Sequence, residues 1–91
     1  MSDYRPIACG AYDEIEVMAM RRAPVRLQVV DDEGVKSEMQ GLVVDTSIHD
    51  GAEFLVLESS GNLFQLRLDR IAVIHQADTG GVWRQKNNGV V

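Results

Sequence analysis

This chain of 91 residues predicts a small, mainly β domain with one N-terminal α-helix. Three observations carry that reading. The stretch from Glu53 to His75, EFLVLESSGNLFQLRLDRIAVIH, alternates apolar and polar residues around a Ser60-Gly61-Asn62 turn, as half-buried strands do. Only one segment, Gly10–Arg22, carries apolar residues at the helical period. No helical segment separates the later strands, so they must pair antiparallel through tight turns, in a small, strongly curved barrel capped by the helix.

The elements follow in order, within a single domain spanning 1–91. Residues 1–8 form a lead-in, where Pro6 pushes Arg5 toward extended geometry and Tyr4 and Ile7 are available to pack on the body. The helix is expected over 10–22. On a wheel, Tyr12, Ile15, Met18 and Ala19 share the side that docks on the sheet. Asp13, Glu14 and Glu16 fall in the first turns and Arg21 and Arg22 in the last, each favourable to the helix dipole. Ala23-Pro24 ends the helix. Its other side groups Asp13, Glu16, Val17 and Met20, with Tyr12 at the border. A purely solvated face has no need of Val17 and Met20. They are either part of a small contact patch or covered by the lead-in.

The barrel is expected over 25–84. Val25–Val30 is a strand with Val25, Leu27 and Val29 facing in, and 31–34 is a turn. Val35–Asp45 is the next strand, where Gly41 breaks the alternation and signals a bulge or sharp bend. Thr46–Ala52 (TSIHDGA) reads as a polar loop before the central strand. Beyond the Glu53–His75 strands, Gln76–Gly81 is turn-rich and Val82-Trp83 adds a short edge strand. Residues 85–91 read as a flexible tail. Leu27, Val29, Phe54, Val56, Leu66, Leu68, Ile71 and Val73 are assigned to the core.

Composition narrows the function. At this length roughly 60–65% of the unfolded chain's surface is buried on folding, so the core is small. Five aromatic residues leave little material for a deep apolar pocket, which weighs against an enzyme. The net charge is −5: residues 1–60 carry 5 basic and 12 acidic residues, and residues 61–91 carry 4 and 2. An acidic chain suits a basic partner or simple solubility, and opposes phosphate binding, which needs clustered Lys and Arg. The single cysteine, Cys9, excludes an internal disulfide. The N-terminus lacks the apolar region of a signal peptide, and no apolar run approaches the length of a membrane span, so a cytoplasmic protein is expected.

Motifs for chemistry are sparse. Asp31-Asp32-Glu33 lacks the alternating ligands and distal Glu of a calcium loop. Cys9, His49 and His75 have no zinc spacing, and Gly80-Gly81 is a turn signal only. Asp13 and Glu16 fit a binding edge better than a general acid–base pair. No metal and no cofactor is expected.

Three segments then line up: YRPIACGAYDEIEVM, with Tyr4, Pro6, Ile7, Cys9, Tyr12-Asp13 and Glu16; EFLVLE, followed by Gly61 after two small residues; and LRLDRI over 66–71. In this combination the chain resembles the Rof family, the Rho-binding antiterminators, over roughly Tyr4 to Trp83. The resemblance implies a helix packed on a small barrel similar to Sm proteins. It implies no enzymatic activity, but inhibition of Rho-dependent transcription termination. The implied partner is the Rho hexamer, bound at the N-terminal domain where Rho grips C-rich RNA. Carried over by position, the contact residues are Tyr12, Asp13 and Glu16, which coincide with the patch from the wheel; the wheel adds Val17 and Met20. The family also uses the loop before the central strand, but TSIHDGA has no Lys or Arg and no residue carries over there. Arg67 and Asp69 are assigned to the framework. The chain is expected to be monomeric when free and to bind neither nucleic acid nor membrane. Two alternatives compete: an Sm-like RNA-binding module, which the charge opposes and which would need a basic stripe with stacking aromatics, and a small scaffold protein.

Overall fold

The computed structural model describes residues 9–84, with side-chain surroundings from Tyr12 onward. The expected lead-in and tail lie outside those residues, as does any cover the lead-in gives to Val17 and Met20. Helix α1 runs Cys9–Met20. Ile15 and Met18 are fully buried, and Tyr12 and Ala19 pack half-buried against the same core, as the wheel requires. The helix ends two residues before the expected Arg22, and the reason lies in the backbone. Arg22 adopts φ 52°; its N–H donates to the Ala19 carbonyl at 3.1 Å, and the Ala23 N–H donates to the Met18 carbonyl at 2.9 Å. This is a Schellman motif, and its usual apolar contact is supplied by buried Met18 and Ala23. Because α1 begins at Cys9, its first turn contains no carboxylate. Asp13, Glu14 and Glu16 therefore gain little from the dipole, which acts mainly within the terminal turn.

Six strands follow: β1 Pro24–Val30, β2 Lys36–His49, β3 Ala52–Ser59, β4 Asn62–Arg67, β5 Ile71–Gln76 and β6 Val82–Arg84. A single 3₁₀ turn, Leu68–Arg70, separates β4 from β5. All neighbours are antiparallel, in the order β4-β3-β2-β1-β5-β6. They form a curved, barrel-like sheet. Strand β2 is the hinge of this curvature. Its Lys36–Leu42 half pairs with β1 and its Leu42–His49 half with β3. At the handover a Cβ on Gly41 would lie 2.1 Å from the Glu58 carbonyl oxygen, so only glycine lets the two strands approach. The bulge itself is three residues on: Val43 pairs with Leu57 and Asp45 with Val56, leaving Val44 as the extra residue. The bend and the bulge that the sequence merged at Gly41 are thus two separate devices.

The expected Thr46–Ala52 loop is corrected. Strand β2 continues to His49, β3 starts at Ala52, and Asp50-Gly51 is the whole turn, with φ 53° and 80°. Ser60-Gly61 repeats that geometry between β3 and β4, with φ 53° and 81°. Two consecutive positive φ values make a type I′ turn, whose twist matches the flanking strands.

The core assignment is corrected in phase. Leu27, Leu68 and Ile71 belong to the main core, and Val29 and Leu66 pack half-buried against it. In β3, Leu55 and Leu57 enter the main cluster; Val56 is buried as expected but outside it, and only Phe54 falls short. The register explains this, since Leu55 lies opposite Leu66 and Leu57 opposite Phe64, and opposed residues share a face. Phe54 is half-buried on the other face, edge-on to His49 with ring centroids 5.5 Å apart. Val56 and Val73 are buried there too, outside the main cluster. In β5 a second register shift, against Gln28/Val29, puts both Ile71 and Ile74 inside. Trp83, opposite Ile74 on the edge strand β6, completes the core. No helix among the described residues is long and apolar enough to cross a membrane.

Candidate functional site

Helix α1 packs chiefly on β2, so one of its faces is spent on the core and the opposite face is left outward. The five residues predicted for the site divide accordingly. Asp13, Glu16, Val17 and Met20 are exposed, the two apolar ones at 54% and 83%. Tyr12 is half-buried at the border, and its hydroxyl donates to Thr46 Oγ1 on β2 at 3.3 Å. The structure therefore brings all five onto one stripe, with Tyr12 held as its fixed edge.

The helix and β2 also enclose a shallow groove of about 330 Å³, lined by Glu16, Ala19 and Met20 from α1 and by Val44, Asp45 and Thr46 from β2. Asp45 was not singled out from the sequence. The β2 bulge leaves it exposed beside the helix, and its Oδ1 accepts the Thr46 N–H at 2.8 Å. The only signal in the sequence is the break of alternation in Leu42-Val43-Val44, which shows that the strand is irregular without saying where Asp45 goes.

The electrostatics of this face are one-signed. Among the described residues, arginines pair with other groups: Arg21 with Asp78 and Gln76, Arg22 with Glu58 at 3.9 Å, Arg26 with Glu38 at 3.3 Å, and Arg70 with Asp32. Among the described residues no ion pair forms to Asp13, Glu16 or Asp45. Arg67 and Asp69 behave as framework. Arg67 donates from Nε to Oδ1 at 3.1 Å and from Nη2 to Oδ2 at 2.7 Å, bracing the 3₁₀ turn.

Elsewhere an open cleft of about 690 Å³ runs along Arg26, Gln40, Gly41, Glu58 and the Ser59–Gly61 turn. No histidine or cysteine lines it. Among the described residues no three His, Cys, Asp or Glu side chains are grouped to hold a metal. His49 lies against Phe54, and His75 sits half-buried on β5 opposite Arg26.

Comparison with known proteins identifies the family and the fold. The family described as "Modulator of Rho-dependent transcription termination (ROF)" matches residues 6–82. Two proteins called "Protein rof", from Escherichia coli (strain K12) and from Shigella flexneri, are each 30% identical over 79 residues, covering 87% of this chain and 89% of theirs. A solved structure, "YaeO bound to Magnesium from Vibrio cholerae O395", superposes with a TM-score of 0.68 at 22% identity, covering 82% of this chain and 97% of that one. At that identity the superposition speaks for the fold.

Proposed function

We propose that this chain, which belongs to the Rof family of modulators of Rho-dependent transcription termination, inhibits termination by binding the N-terminal domain of the Rho hexamer and occupying its primary RNA site. The observation that carries this reading is the outward stripe of α1, where Asp13 and Glu16 have no ion-pair partner among the described residues and stand beside exposed Val17 and Met20. A protein surface that grips RNA must present Lys and Arg to the phosphates. Carboxylates on a rigid helix offer those cations an alternative to RNA, and Val17 and Met20 add apolar contact that phosphates lack. Tyr12 supplies an anchored aromatic edge. The chain works as a monomer, by occlusion and not by chemistry, and acts where transcription occurs, in the cytoplasm.

Binding of the purified chain to Rho by calorimetry, with and without oligo(C) RNA, tests the proposal together with a termination assay in vitro. Binding that RNA competes away, accompanied by read-through of Rho-dependent terminators, is the expected result. Rho binding undisturbed by saturating RNA would remove the primary site as the target.

A further inference from the structure

We infer that the groove between α1 and β2 receives one arginine or lysine side chain of Rho, held between Glu16 and Asp45. This rests on the proposed Rho-binding function and extends its site from the helix onto the sheet. The groove has the composition of a cation slot. Its two ionisable lining residues are both carboxylates, one from each wall, and the rest of the lining is Ala19, Met20, Val44 and Thr46. Among the described residues neither carboxylate has an ion-pair partner. The aliphatic stem of a long basic side chain suits Ala19, Met20 and Val44, while its charged head meets carboxylates at the rim. The slot is also preorganised. The Thr46 N–H fixes Asp45 at 2.8 Å, and Tyr12 ties α1 to Thr46 at 3.3 Å, so the two walls keep their spacing before a partner arrives. The groove shares Glu16 and Met20 with the helix stripe, so one partner surface covers both.

Calorimetry against the intact Rho hexamer, beside a thermal melt of each sample, tests this with Asp45→Asn, Glu16→Gln and their double variant. Asn keeps the acceptor oxygen for the Thr46 N–H, so the melts stay at the wild-type midpoint. Each single variant weakens Rho binding roughly 10- to 100-fold, as losing one partner of a desolvated charge pair does. The double variant loses much less than the product of the two, because both carboxylates serve one cation. Asp45→Asn binding like wild type, or strict multiplicativity in the double variant, overturns the shared slot. An Asp45→Asn effect that vanishes when magnesium is replaced by chelator assigns the groove to the metal ion and overturns the side-chain occupant. The Asp13→Lys/Glu16→Lys variant separates the two claims. If it loses Rho while Asp45→Asn does not, the groove inference fails and the helix reading stands. If wild type and all variants bind alike, or wild type does not bind, both fail.

Discussion

Arg22 occupies a left-handed position, φ 52°, that helix termini usually give to glycine. Its side chain is mostly exposed and its ion pair with Glu58 is long at 3.9 Å, so it gives little in return. Arg22→Gly is expected to stabilise the fold by about 0.5 kcal/mol, since a non-glycine residue pays roughly 1–2 kcal/mol in that region and glycine returns part of the gain as chain entropy. A lower melting temperature would show that the Arg22 side chain contributes more than its exposure suggests. Gly41 is the opposite case. The Glu58 carbonyl stands 2.1 Å from where a Cβ would be, and backbone cannot swing aside as a side chain can. Gly41→Ala should cost on the order of 1–3 kcal/mol, by the overpacking it forces at the β2–β3 handover. Denaturant titration measures it.

At the scale of elements, the β3–β4 hairpin separates core from surface by register. Leu55 is fully buried, and Leu55→Ala should cost about 2–5 kcal/mol through the cavity it leaves. Leu66, its cross-strand partner, is only half-buried, and its truncation should cost less, about 1–2 kcal/mol, in proportion to the apolar area removed from water. Equal midpoints for the two variants in urea would contradict the inward face of β3. For α1, the distance of Asp13 from the helix start matters. Reversing Asp13 and Glu16 to Lys leaves the fold nearly intact, by less than about 0.5 kcal/mol, because the dipole fades beyond the first turn. Rho binding by the same variant should fall by several kcal/mol, since like charges would face each other across the interface. Binding that merely tracks the melt would make α1 a lid on the barrel.

For the whole molecule, net charge −5 sets the long-range behaviour. Several described arginines are paired with carboxylates, which leaves no stripe of unpaired arginines among the described residues for a phosphate backbone. Oligo(C) RNA is expected not to bind the chain in a filter assay near physiological salt. Tight, salt-sensitive retention would favour the RNA-binding module that small barrels of this kind also serve. Association with Rho should itself slow as salt is raised, because screening weakens the attraction that steers an acidic face to a basic site.

The sequence by itself determined the element order, the antiparallel pairing and the two faces of α1. Those depend on local periodicity and turn chemistry, which a few neighbouring residues express. The Asp50-Gly51 hairpin was not legible in this way: the polar residues of TSIHDGA read as a loop, whereas β2 runs on to His49 because pairing with β3 holds its backbone extended. What tertiary structure decided is which side of β3 and β5 points inward. Apolar residues occupy both sides of each strand, so only cross-strand register, set by Ser60-Gly61 and by the bulge opposite Gln28/Val29, breaks the tie. It also decided that Asp45 would stand across a groove from Glu16. Nothing local joins them: they line one groove because a bulged, bent β2 is packed under a helix laid down much earlier in the chain.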